Sequence, residues 1–166
     1  MIGCAGNDEV ASSILATAII PSRKLYIAER MKRVMRALRY PTVDKIVEYN
    51  ELALHFLKAK KGDKAEVLSH SKIKRAIDDC ISAPGEVYDK ATALLRGLIQ
   101  AHAFASGNRR TAFIVTKDFL LSNGAKMGVA DDPSHAGVLR GIRERFYTDE
   151  EIKEWIQHGK IREFQR

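Results

Sequence analysis

The stretch that decides the fold runs Ala91-Thr-Ala-Leu94-Leu95-Arg-Gly-Leu98-Ile99-Gln-Ala-His102-Ala-Phe104-Ala-Ser106-Gly107-Asn108-Arg109-Arg110-Thr111-Ala112 and continues through Val115, Phe119 and Leu120 to Gly124. Ala91, Leu94, Leu95, Leu98, Ile99 and His102 recur at three- and four-residue spacing, which predicts a helix with His102 on its buried stripe near the end. Ala112, Val115, Phe119 and Leu120 trace a second stripe, and Gly124 supplies the stop. Between them Ser106, Gly107 and Asn108 are small or turn-forming, suited to a sharp reversal that leaves the first N–H groups of the second helix pointing outward. Such an N-terminus attracts anions. Arg109 and Arg110 lie in its first turn, where cations oppose the helix dipole unless an anion is present, so the turn is predicted to bind phosphate.

Outward from this pair, the remaining segments read as further helices. Pro41 ends one segment and Thr42 opens the next as an N-cap, with Val43, Ile46, Val47, Leu54 and Leu57 on its apolar face and Gly62 closing it. A third begins near Ser69 or Ser71 and buries Ile73, Ile77, Cys80 and Ile81. Ser82-Ala-Pro84-Gly85-Glu86 then breaks it. Pro133 fits the first turn of a helix carrying Val138, Leu139 and Ile142. Thr148-Asp-Glu-Glu151 is a capping box opening a last helix that buries Ile152, Trp155 and Ile156 and stops at Gly159. No long alternating strand is present, so the predicted architecture is an all-α bundle of six or seven helices with one irregular stretch from Ser82 to Tyr88.

A chain of 166 residues suits one domain and buries roughly 70% of its unfolded surface, enough for a core. With 45% hydrophobic and 30% charged residues and four prolines, the composition is that of a soluble globular protein with no linker. Cys4 and Cys80 stand far apart without metal-ligand spacing, which fits a reducing cytosol and two small buried hydrophobes. The net charge of +7 is concentrated between Pro21 and Arg39, where seven basic residues face Glu29 alone. A solvated helix face explains such a run, and an electrostatic footprint for nucleic acid is the sharper alternative. Tyr26 and Tyr40 are too sparse for a stacking platform, so nucleic acid is not the expected partner. Ile14 to Ile20 is far too short for a membrane span, and Asp8 and Glu9 ahead of it argue against a secretory signal. Residues 1–39 therefore read as an N-terminal extension with a basic helix, and 40–166 as the helical domain.

The string His102-x-Phe104-x-x-Gly107-Asn108-x-Arg110 resembles the signature of the Fic/Doc family, and Asn108-Arg109-Arg110-Thr111-Ala112 is most similar to its Doc (death-on-curing) branch. The resemblance covers roughly Tyr40 to Phe146. It implies an α-helical transferase that moves a phosphate or AMP group from ATP to a hydroxyl of a target protein. On that pattern His102 is the general base, Phe104 turns inward to fix the loop, and Gly107 lets backbone approach the phosphates. Asn108 orients phosphate oxygens, while Arg109 and Arg110 bind them. The resemblance also places a target-holding flap at the break containing Ser82, Gly85, Glu86 and Tyr88, whose edge pairs with the target segment.

Three departures accompany the match. Ser106 stands where the family has an acidic Mg²⁺ ligand, and a neutral hydroxyl is a weaker donor. Phe113 stands where AMP-transferring members have a second arginine. Arg109 replaces their glycine with a cation, as the lysine of Doc-like members does, which favours the orientation with the terminal phosphate towards the histidine. The family's inhibitory-helix pattern has only a loose counterpart in Ser82 to Val87, and Pro84-Gly85 forbids a regular helix there. A toxin of this kind would need a separate antitoxin chain, for which residues 1–39 offer a surface. The competing readings are a degenerate member that binds nucleotide or a partner without turnover, and a basic protein associated with nucleic acid.

Overall fold

The structure, a computed structural model, describes residues 37–56, 62–130 and 134–165. The predicted basic helix of the N-terminal extension, Leu57 and Pro133 lie outside the described residues. Within them are six helices and no strand: α1 Val43–Phe56, α2 His70–Ser82, α3 Val87–Ala101, α4 Asn108–Ser122, α5 His135–Arg143 and α6 Asp149–His158. The fold is all-α, as the periodicities predict.

Helix α3 is the hub. It packs against α2, α4, α5 and α6, while α1 lies on α4 and touches α2. Its stripe of Ala91, Leu94, Leu95, Leu98 and Ile99 is buried, and so is Thr92, whose hydroxyl donates to the Tyr88 carbonyl at 2.9 Å and is thereby satisfied. A helix with neighbours on several sides needs apolar residues on more than one face. Helix α4 shows the same pattern. The predicted Ala112, Val115, Phe119 and Leu120 are buried, and Thr111, Phe113 and Thr116 are buried with them.

The caps follow the sequence closely. Ser69 accepts from Lys72 N–H at 3.3 Å and opens α2. Thr148 and Glu151 form the predicted box at the start of α6, with Thr148 N–H donating to Glu151 Oε2 at 2.9 Å. Gly159 ends α6 at φ 70° and Gly124 follows α4 at φ 74°. At the front of the body, Asn123 clamps Arg39, accepting from its N–H at 2.8 Å and donating to its carbonyl at 2.9 Å, while Tyr40 stacks on Phe119.

Two expectations need correction. Ile81 is exposed, because α2 presents Ile73, Ala76, Ile77 and Cys80 to the core and position 81 has rotated past that stripe. The break between α2 and α3 is shorter than the expected Ser82 to Tyr88 stretch. Only Ala83 to Glu86 separate the helices, and Glu86 N–H donates to Asp89 Oδ2 at 2.8 Å to start α3 at once.

Candidate active site

The first of the two central helices stops one residue earlier than its apolar period suggests. His102 is its C-cap in the left-handed conformation, at φ 45° and ψ 51°. That turn lifts the side chain off the buried stripe, and His102 is exposed rather than buried as the spacing predicts. A non-glycine residue held in this region costs of order 1–3 kcal/mol, an outlay that surrounding structure must fix in place. The next residues are fixed firmly. Ala103 and Phe104 are buried, Phe104 to 4% exposure, so the inward turn expected of Phe104 is observed.

Phe104 sits between two partners. On one side Val67 opposes it in an antiparallel bridge, with Leu68 N–H donating to Ala103 O at 2.8 Å and Ala105 N–H donating to Glu66 O at 3.0 Å. In such a pair the N–H and C=O of the two bridged residues point away from each other. For Phe104 the outward groups meet the Asn108 carboxamide: Phe104 N–H donates to Asn108 Oδ1 at 3.0 Å, and Asn108 Nδ2 donates to Phe104 O at 2.7 Å. Asn108 thus takes the place of a third strand. Its amide holds the loop shape through both of these bonds.

Beneath the loop lies Asn50 of α1, 1% exposed, donating through Nδ2 to Ser106 O and to Thr111 Oγ1, both at 2.9 Å. Gly107 is at φ 80°, and a Cβ there would come within 2.9 Å of Asn50 Nδ2 and 3.2 Å of Leu54 Cδ2. Glycine is needed at 107 because the backbone is left-handed and lies directly on α1. Asn50 itself was not legible as a site residue. The signal available was an asparagine at a position flanked by the apolar Ile46, Val47, Ala53 and Leu54, where a polar side chain must find partners.

Gly107 caps α4 without a side-chain hydrogen bond, the first turn has no acidic residue, and Thr111 N–H closes the first intrahelical bond to Gly107 O at 2.9 Å. Arg109 and Arg110 occupy that turn, half-buried. Arg110 Nη2 lies 3.3 Å from Asp63 Oδ2, in the segment that bridges to Phe104. Arg109 has its pKa lowered, first by burial and then by the cations Arg140, Arg143 and Arg110. The His102 imidazole is also held below its ordinary value, first by partial burial and then by Arg143 and Lys72, so its neutral form persists to lower pH. The field at this loop is positive from three directions.

His102 and Arg110 flank the break, His102 as the C-cap of α3 and Arg110 in the bare first turn of α4. Ser82, Gly85, Glu86 and Tyr88 do not join them: they lie at the opposite end of the 15-residue α3, about 20 Å away at 1.5 Å per residue. The segment that flanks the loop is Asp63 to Ser69. As for metal, Ser106 offers only a neutral hydroxyl and Asp63 is engaged with Arg110, and among the described residues no group of three His, Cys, Asp or Glu could hold an ion. This donor set does not fit a protein-built Mg²⁺ site, which draws on one or two carboxylates beside substrate phosphates.

A helical body thus carries a histidine on a left-handed helix end, directly ahead of a braced, arginine-rich helix start of the kind that attracts anions. Comparison with known proteins gives it a family. The model of the Fic/DOC family matches residues 28–120, more than half of the chain, and the chain belongs to that family. It is also 38% identical over 59 residues to Toxin Doc of Mycolicibacterium smegmatis (strain ATCC 700084 / mc(2)155), an alignment covering 36% of this chain and 45% of that protein. The chain thus matches less than half of that relative's length. Among the described residues no helix is long and apolar enough to cross a membrane.

Proposed function

We propose that the protein is a Fic/Doc-type transferase that moves a phosphate or AMP group from ATP to a hydroxyl of a target protein. The observation that carries this reading is the braced loop: Asn50, Asn108 and Val67 hold the backbone from His102 to Thr111 so that an exposed imidazole and an uncapped, doubly cationic helix start share one short turn. The target hydroxyl oxygen attacks phosphorus and forms the new P–O bond, its proton passes to the His102 imidazole, and the bond to the departing ADP or pyrophosphate breaks. The α4 N-terminus and the guanidinium groups stabilise the charge spread over the phosphate oxygens. Arg109, bulky and cationic, favours the orientation in which the terminal phosphate meets His102, and so phosphate transfer.

The target segment has a docking edge on this reading. Val67 is the non-hydrogen-bonded member of its bridge, so its N–H and C=O face away from the loop and can pair with an extended peptide. This edge takes over the role first assigned to Ser82 through Tyr88. An antitoxin chain is proposed as partner, because the similar Mycolicibacterium smegmatis protein is a Doc toxin.

Incubation with ATP labelled separately at the α and γ phosphates, in a lysate of the host, distinguishes the reactions. Transfer of γ label, lost in His102→Ala, is the expected result. Transfer of α label alone indicates AMP transfer. Nucleotide binding with neither label moved refutes turnover and leaves a binding protein.

A further inference from the structure

The last turn of α5 carries Arg140 and Arg143. Cations there complement the helix dipole, which alone would explain them on a free helix end. This end is not free. Gln100, two residues before His102, donates through Nε2 to the carbonyl of Ile142 at 3.3 Å, tying the residue just before Arg143 to the end of α3. On the α4 side, Phe113 stacks on the His135 ring with centroids 4.5 Å apart and planes 2° from parallel. Phe113 follows Arg109 by one helical turn, so Arg109 shares the face of α4 that looks onto α5. Helix α5 thus packs on α3 and touches α4 through the Phe113–His135 stack, with its basic end tied to the end of α3 that leads into the loop.

None of the ion pairs among the described residues involves Arg109, Arg140 or Arg143. Arg143 is also the cation whose field reaches both His102 and Arg109. Grouping like charges at such a place is destabilising unless an anion of matching charge is bound there.

We propose that Arg143, supported by Arg140, is a phosphate-binding residue of this site, so that a polyphosphate is held between the first turn of α4 and the last turn of α5. The inference rests on the nucleotide reading above and extends it to a helix outside the His102–Arg110 string. It also accounts for two departures together. Phe113 is turned into an aromatic stack and supplies no charge, and Ser106 supplies no carboxylate for a metal. Positive charge from α5 stands in for the arginine absent at 113 and for the cation that a carboxylate at 106 would hold, with guanidinium groups that can each grip two phosphate oxygens.

The test is calorimetric titration of the full chain with inorganic tripolyphosphate and with ATP at 0.15 M salt, comparing the wild type with Arg143→Gln, Arg143→Lys and, as a charge-loss control at an exposed site, Lys126→Gln. Loss of a charge-assisted contact weakens both ligands about tenfold or more in Arg143→Gln. Arg143→Lys recovers part of this, and Lys126→Gln stays within about twofold. Equal weakening in Arg143→Gln and Lys126→Gln means general electrostatic attraction and overturns the proposal, as does wild-type affinity in Arg143→Gln. Arg143 is exposed, so the fold of the variant is not at stake; its thermal midpoint confirms this. Failure of this idea and of the transferase reading separate cleanly. Arg143-dependent binding without label transfer sinks the transferase and keeps the phosphate contact, whereas label transfer unaffected by Arg143→Gln does the reverse.

Discussion

Replacing Gly107 and Gly124 by alanine, one at a time, separates backbone conformation from packing at the active loop. Both glycines lie in the left-handed region, at φ 80° and φ 74°, so each substitution carries a similar conformational cost of about 1 kcal/mol. At Gly124 a Cβ meets nothing within 4 Å, and that cost is the whole effect. At Gly107 the Cβ falls 2.9 Å from Asn50 Nδ2 and 3.2 Å from Leu54 Cδ2. Moving Asn50 aside disrupts its bonds to Ser106 O and Thr111 Oγ1, each worth about 1 kcal/mol net. Gly107→Ala is therefore destabilised by about 3 kcal/mol against about 1 kcal/mol for Gly124→Ala. Urea unfolding with a common slope measures both. Two values within about 0.5 kcal/mol of each other would show that Asn50 does not brace the loop and that only the backbone angle demands glycine.

Two further predictions concern the chemistry. If neutral His102 is the base, transfer falls on the acid side with a midpoint below the ordinary histidine value of 6.5, because burial, Arg143 and Lys72 disfavour the imidazolium. Removing the cation in Arg143→Gln raises that pKa and moves the acid limb to higher pH; a limb that stays put or moves down excludes His102 as the titrating base. Ser106→Asp adds a hard anionic oxygen and is expected to raise Mg²⁺ affinity in the presence of ATP, read by titrating Mg²⁺ against the nucleotide complex. A melt without nucleotide isolates the dipole contribution of the new carboxylate, about 0.3–1 kcal/mol, and unchanged Mg²⁺ affinity would place position 106 outside the metal's reach.

The helices were legible because each signal is local. Apolar spacing marks α3 and α4, and the Thr148–Glu151 box and Gly159 bound α6. The loop's identity was legible for the same reason, since His102 to Thr111 is contiguous. What the sequence hid is long-range. Asn50 reaches across 56 residues to Ser106, and Val67 pairs with Phe104 through a single bridge too short to leave an alternating pattern. The Pro-Gly break at Pro84 was legible as a turn, but turn chemistry says that a chain reverses and not how tightly, and the flap assigned there came from the resemblance; here Asp89 closes the break within four residues. His102 was misplaced on the buried stripe because periodicity cannot see a left-handed cap one residue before its period ends.

The cations Arg110, Arg140 and Arg143 that act on Arg109 have a bearing on stability. Their mutual repulsion is energy held in the folded protein before any ligand arrives, and it is relieved when an anion enters. Part of a polyphosphate's binding free energy is then relief of repulsion already present, and the same quantity reappears as added resistance to unfolding in the bound form, following RT ln(1 + [L]/Kd). On the proposed reading, nucleotide binding and folding are coupled in one equilibrium, and saturation with a polyphosphate raises the resistance of the whole fold to unfolding.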